Sequence, residues 1–149
     1  MVYENESYFH KKAKEVVKEW IETRENVFFD IIPMDSENTV FLEYPICKLD
    51  NGISSWSQCW KNIWLRESVP SYQECLEKFD SKPIAIVDVV VCIKNKPSIC
   101  IEICHTNPVT EKKIERLKKM GVTNLIEIKA DWILRQTGVP RKLIFKRLI

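Results

Sequence analysis

Two acidic residues stand where acids are costly. Asp88 lies inside Ile86-Val87-Asp88-Val89-Val90-Val91, and Glu102 lies inside Ile99-Cys100-Ile101-Glu102-Ile103-Cys104. Both runs are apolar at successive positions, the pattern of strands covered on both faces. An ionised carboxylate in such a strand has to be paired, neutralised or bound to a cation. The segment Lys94-Asn95-Lys96-Pro97 makes a short turn between the runs, so the two strands are expected to pair antiparallel. With a three-residue loop over 94–96, Ile93 pairs with Pro97. Asp88 then falls opposite Glu102, and both carboxylates leave the same face. A two-residue loop would send them to opposite faces. Directly opposed side chains have Cβ atoms ~5 Å apart. Two carboxylates that close repel unless a proton or a cation sits between them. A hard divalent ion, Mg²⁺ or Mn²⁺, is the natural partner. The bland alternative gives each acid its own Lys or Arg. Two such acids in neighbouring buried strands weaken it.

The elements that must position this pair can be read from periodicity. Residues 5–24 form an amphipathic helix with Phe9, Ala13, Val16, Val17, Trp20 and Ile21 on one side. Glu6 falls near the middle of that stripe, and His10 and Lys14 follow at i+4 and i+8 on its flank. Residues 27–32 and 39–47 read as strands, and Asp50-Asn51-Gly52 as a turn. Trp56, Trp60 and Trp64 recur at helical spacing. Buried packing is the preferred reading of that stripe, with a base-stacking platform as the sharper one. Pro70 can open a helix to about Phe79. After the strands 84–93 and 98–104, Thr110 can cap a helix whose buried stripe is Ile114, Leu117 and Met120, ending at Gly121. A strand over 124–128, a short helix over 130–136 and a last strand over 142–148 complete the chain. The expected fold class is α/β, a mixed central β-sheet flanked by helices. One domain over 1–149 is expected, with 25–69 an irregular or strand-rich insertion.

Composition narrows the function classes. There are 149 residues, enough for one core, and 30% are charged. No run of ~18 uncharged apolar residues suggests a membrane span. The lysine-rich start has no secretory apolar stretch. The six cysteines include no CxxC pair, which argues against structural zinc. Cys92, Cys100 and Cys104 sit in apolar runs as small hydrophobes. Reduced thiols, and an intracellular setting, cytoplasmic or nuclear, are expected. Net charge is +2 but unevenly spread: residues 110–149 hold 11 Lys/Arg against 4 Asp/Glu, and residues 1–109 hold 12 against 17. A basic C-terminal portion beside an acidic body suits a phosphate backbone steered to a metal site. A solvated lysine-rich helix face is the plainer account.

Asp88-Val89-Val90-Val91, then Glu102-Ile103-Cys104-His105-Thr106, then Glu111-Lys112-Lys113-Ile114-Glu115-Arg116-Leu117, then Ile126-Glu127-Ile128 resembles the PD-(D/E)xK, restriction-endonuclease-like superfamily. The resemblance is to its competence-protein-like and uncharacterised bacterial or viral branches. The opening Glu6-Ser7-Tyr8-Phe9-His10-Lys11-Lys12-Ala13-Lys14 is similar too. The match covers roughly 5–24 and 70–134. It implies a restriction-endonuclease-like fold, Asp88 and Glu102 as metal ligands, and a helper acid on the first helix, for which Glu6 lies on the inward face. A lysine is expected two residues after the second acid, where this chain has Cys104. The cation would then come from a helix, from Lys14, Lys112 or Lys113. His105 could hold the attacking water or a phosphate, or simply end the strand with a backbone hydrogen bond. The implied activity is a Mg²⁺- or Mn²⁺-dependent nuclease acting on DNA, branched or single-stranded included, with a homodimer as one way to cut two strands. The alternatives are a nuclease fold that has lost catalysis and binds nucleic acid or a protein, and a partner-binding module using the tryptophan stripe.

Overall fold

The computed structural model describes residues 2–23, 38–47, 83–93, 96–119 and 122–149. The expected strand over 27–32, the tryptophans at 56, 60 and 64, the helix from Pro70, Gly121 and the side chain of Glu6 lie outside the described residues.

The described elements run in chain order α1 (Val2–Glu22), β1 (Asn38–Cys47), β2 (Pro83–Ile93), β3 (Lys96–Cys104), α2 (Glu111–Lys119), β4 (Leu125–Lys129), α3 (Ala130–Arg135) and β5 (Lys146–Arg147). The five strands form one sheet in the order β1-β2-β3-β4-β5. It is mixed: β3 and β4 are parallel, with α2 as their crossover, and every other neighbour is antiparallel. The α/β class and the mixed sheet flanked by helices are as expected. The last strand is much shorter than the expected 142–148.

Two apolar layers hold the sheet. On one face Ala13, Val17, Trp20 and Ile21 of α1 and Ala130 and Ile133 of α3 pack on Val89, Val91, Ile99, Ile101, Ile103, Ile126 and Ile128. On the other face Ile114 and Leu117 of α2 pack with Val87, Val90, Cys92, Cys100 and Leu125. Strands covered on both faces need apolar residues at consecutive positions, which is why β2 and β3 show no polar alternation. Among the described residues no helix is long and apolar enough to cross a membrane.

The expected hairpin loop is corrected. Ile93 pairs with Lys96, so only positions 94 and 95 lie between the strands. That loop alone would send Asp88 and Glu102 to unlike positions. The register then shifts: Cys92 faces Pro97, but Val91 faces Ile99. Ser98 is the extra residue of a β-bulge, which also accommodates the proline in the strand. Past the bulge Val89 faces Ile101, so the next step puts Asp88 beside Glu102.

α2 begins with a side-chain cap, the Lys113 amide donating to Thr110 Oγ1 at 3.2 Å. This bond satisfies one otherwise free amide at the helix start. Thr110→Ala is expected to cost about 1 kcal/mol, read as a lower urea midpoint with unchanged slope.

Candidate functional site

The β2–β3 ladder opens at Asp88 and Glu102, and their side chains take over its hydrogen bonds. The Ile103 amide donates to Asp88 Oδ2 at 2.8 Å, and the Asp88 amide donates to Glu102 Oε2 at 3.4 Å. The far side of β2 is irregular at the same level. Leu42 faces Val89 and Tyr44 faces Val87, with Glu43 between them opposite Asp88. Glu43 has φ 52°, a left-handed conformation uncommon for a residue with a Cβ. The alternation of β2 also breaks here, since Val89 and Val91 pack under α1 while Val87 packs on the α2 side.

That break gives the two carboxylates different companions. Asp88 leans toward α1, where His10 Nε2 lies 3.1 Å from Asp88 Oδ2 and 2.9 Å from the Ile103 carbonyl oxygen. A proton on Nε2 can be shared between these two acceptors. Glu102 leans toward α2, where Lys113 Nζ forms an ion pair with Glu102 Oε1. The same ammonium donates to the Ile86 carbonyl at 2.9 Å. The expectation that both acids leave one face is therefore corrected: they meet at the fork but are braced from opposite layers.

The electrostatics follow from this crowding. Burial, then the neighbouring Asp88 charge, push the Glu102 carboxyl well up, and Lys113 only partly offsets them. Burial also acts to raise Asp88, but hydrogen bonds from His10, Glu102 and the Ile103 amide outweigh it and hold Asp88 low. His10 is raised chiefly by its bond to Asp88, against burial. Two acids driven apart in this way behave as a pair that shares one proton.

The other candidates are spread around this centre. Lys14 is nearly buried and donates to Glu43 Oε1 at 2.6 Å, so it braces the irregular step in β1 and not the acid pair. Lys112 is exposed. His105 Nδ1 is 3.9 Å from Asp131 Oδ1, beyond hydrogen-bond reach, and its ring lies 6.0 Å from that of Phe9. Cys104 is half-buried, and its thiol donates to the Asn107 carbonyl at 3.0 Å. Glu127 stands in register with Glu102 on β4, but its carboxylate accepts from the Val109 amide at 2.8 Å, tying down the approach to α2. His10 was missed as a site residue. Its signal was its place one turn after Glu6, on the flank of the buried stripe.

Two adjacent carboxylates are the donor type that a hard divalent ion takes. Mg²⁺ is commonly held by one or two carboxylates and completes its shell with water. Asp88 and Glu102 are the residues that would hold such an ion. Among the described residues no three His, Cys, Asp or Glu side chains converge on a metal position, so a closed zinc-type site has no ligand set there. No family model, curated protein or solved structure matches this chain.

Proposed function

We propose that this chain is a metal-dependent nuclease of restriction-endonuclease-like fold that hydrolyses phosphodiester bonds in DNA inside the cell. The observation that carries the reading is the pairing of Asp88 with Glu102 at the open end of the β2–β3 ladder, with Lys113 on Glu102. A bound Mg²⁺ or Mn²⁺ would supply Lewis-acid charge at the scissile phosphate. Asp88 and Glu102 would hold it. Lys113 takes the part of the lysine missing at Cys104. It comes from a helix, is about one-third exposed, and can present its ammonium to a phosphate oxygen. His10 fixes the orientation of Asp88. Glu6 lies one turn earlier on α1, the position of a helper acid. His105 stands beside Phe9 at the rim, able to meet a phosphate or the attacking water.

The test is a panel of single-stranded, double-stranded, flapped and branched DNA, with RNA alongside, incubated with Mg²⁺ or Mn²⁺. Cleavage that needs the ion and disappears in Asp88→Ala and Glu102→Ala supports the reading. A folded wild-type protein that cuts nothing sinks it. His10→Ala is expected to lower activity about 10–100-fold, the usual loss when a ligand loses the partner that orients it. The loss should shrink as the ion concentration rises, and a titration with Mn²⁺ reads that directly.

A second reading is favoured by Cys104. Its thiol is turned to the Asn107 carbonyl, and Lys113 is already engaged by Glu102 and Ile86. On this reading the chain is a nuclease fold without catalysis that binds nucleic acid or a protein. DNA binding without cleavage, unchanged by Asp88→Ala, would favour it.

A further inference from the structure

We propose that the segment Arg141–Arg147 is a track for the phosphodiester backbone of a nucleic acid, leading away from the acid pair. Residues 136–149 contain Arg141, Lys142, Lys146 and Arg147 and no acid. The side chains of Arg141, Lys142 and Lys146 are exposed, and among the described residues these side chains form no ion pair or hydrogen bond. Arg147 is held back in the fold, donating to Asn124 Oδ1 at 2.7 Å and lying over the Phe145 ring. Ile144 and Phe145 are 55% and 37% exposed between these cations. A face kept only for solvation would carry polar residues there. Cations interleaved with exposed apolar groups instead suit a strand that offers phosphates and the flat faces of bases.

The sheet directs this tract to the site. Glu102 faces Glu127, and Glu127 faces Lys146, so Lys146 stands in the row of Glu102 two strands away. At ~4.8 Å between strands that is roughly 10 Å. β5 is antiparallel to β4, so Arg141 to Phe145 enter from the end of the sheet where β3 finishes at Cys104. Exposed Lys129 faces Cys104 on β4 and lies on the way. Glu127 and the Val109 amide bound to it fill the row between Lys146 and Glu102, so a backbone over Lys129 and Lys146 has to pass around them to reach the acids.

The inference rests on the nuclease reading only for where the track leads, and binding can be measured without cleavage. The probe is a fluorescent single-stranded oligonucleotide of about twenty nucleotides, titrated by anisotropy in EDTA at several salt concentrations. The comparison is wild type against Arg141→Gln/Lys142→Gln/Lys146→Gln, with Lys146→Gln alone as the milder variant and circular dichroism as the fold check. Each lost phosphate contact lowers the slope of log K against log salt by about 0.7 on a single strand. The triple variant should lose about 2 from the slope and roughly tenfold or more in affinity at low salt, and the single variant about 0.7. Wild-type affinity and slope in the triple variant would overturn the track. So would a wild-type protein that ignores the oligonucleotide and binds phosphatidylserine vesicles. A protein that never cuts but shows the slope change keeps the track and loses the nuclease. One that cuts equally well with and without the three cations keeps the nuclease and loses the track.

Discussion

Asp88→Asn and Glu102→Gln should each lower metal-dependent cleavage on the order of a thousandfold in kcat/KM. Both changes preserve shape and remove an anion. Asn at 88 keeps an oxygen to accept the Ile103 amide, and Gln at 102 keeps one for the Asp88 amide. What they lose is the charge that would hold a divalent ion under the proposed function. An ion acting as a Lewis acid on a phosphoryl oxygen is worth several kcal/mol, and each 1.36 kcal/mol is tenfold in rate. Lys113→Ala should cost less, about 10²–10³-fold, the range for removing one group aimed at developing charge. Its loss should fall mainly on kcat, whereas the loss at Asp88 and Glu102 should deepen as the ion is diluted. Single-turnover cleavage of the best substrate over a Mg²⁺ titration separates these patterns. Activity within tenfold of wild type in both acid variants would place the chemistry elsewhere.

The acid pair was legible because burial makes a carboxylate conspicuous. Asp88 and Glu102 interrupt two of the most apolar stretches in the chain, and no surface argument accounts for them. The backbone path that sets their adjacency was not legible, however. A three-residue loop gives the same pairing sum as the two-residue loop followed by a bulge at Ser98. Sequence periodicity cannot separate these, because a bulge is a local backbone event that leaves the downstream apolar pattern intact. Pro97 is the residue that could have raised it, since a proline inside a strand asks for a bulge or an edge.

The orientation of the two acids was not legible. It depends on the broken alternation of β2 beside Glu43, whose positive φ is not announced by a glycine or asparagine. It depends also on α1 and α2 lying on opposite faces. Lys14, Lys112 and Lys113 could not be told apart by spacing, because each sits on a helix whose distance from the sheet is a tertiary property. The structure sends Lys14 to Glu43 and Lys113 to Glu102. His10 carried a faint signal, a titratable residue at the edge of a buried stripe. Such residues more often make one buried hydrogen bond than serve a site, and His10 does make such bonds, one of them to a site residue.

In cation-free buffer, wild-type stability should fall as pH rises from about 5 to about 8.5. Burial and then the Asp88 charge push Glu102 up to about 8. In the unfolded chain a glutamate titrates near 4.3. Between these values the folded protein keeps a proton that the unfolded chain has lost, so the free energy of unfolding declines with pH. The stabilisation is complete below the unfolded value and gone above the folded one, a loss on the order of 5 kcal/mol. His10 adds in the same direction, its contribution present below ~6.5 and lost above its raised folded value. Asp88, held down to about 2, acts only at the acid end, where stability is lost as pH falls below its ordinary range. Glu102→Gln should therefore flatten the curve from pH ~5 to ~8.5 and be the more stable protein at the alkaline end. Mg²⁺ should restore wild-type stability there and leave the Gln variant unmoved, because an ion that binds only the folded carboxylate pair stabilises by mass action. Urea midpoints across pH, with and without Mg²⁺, carry the whole comparison. Parallel curves for the two proteins would mean that Glu102 shares no proton with Asp88. A slope without any Mg²⁺ response would leave a proton-sharing pair that does not take a metal, which is the outcome the non-catalytic reading requires.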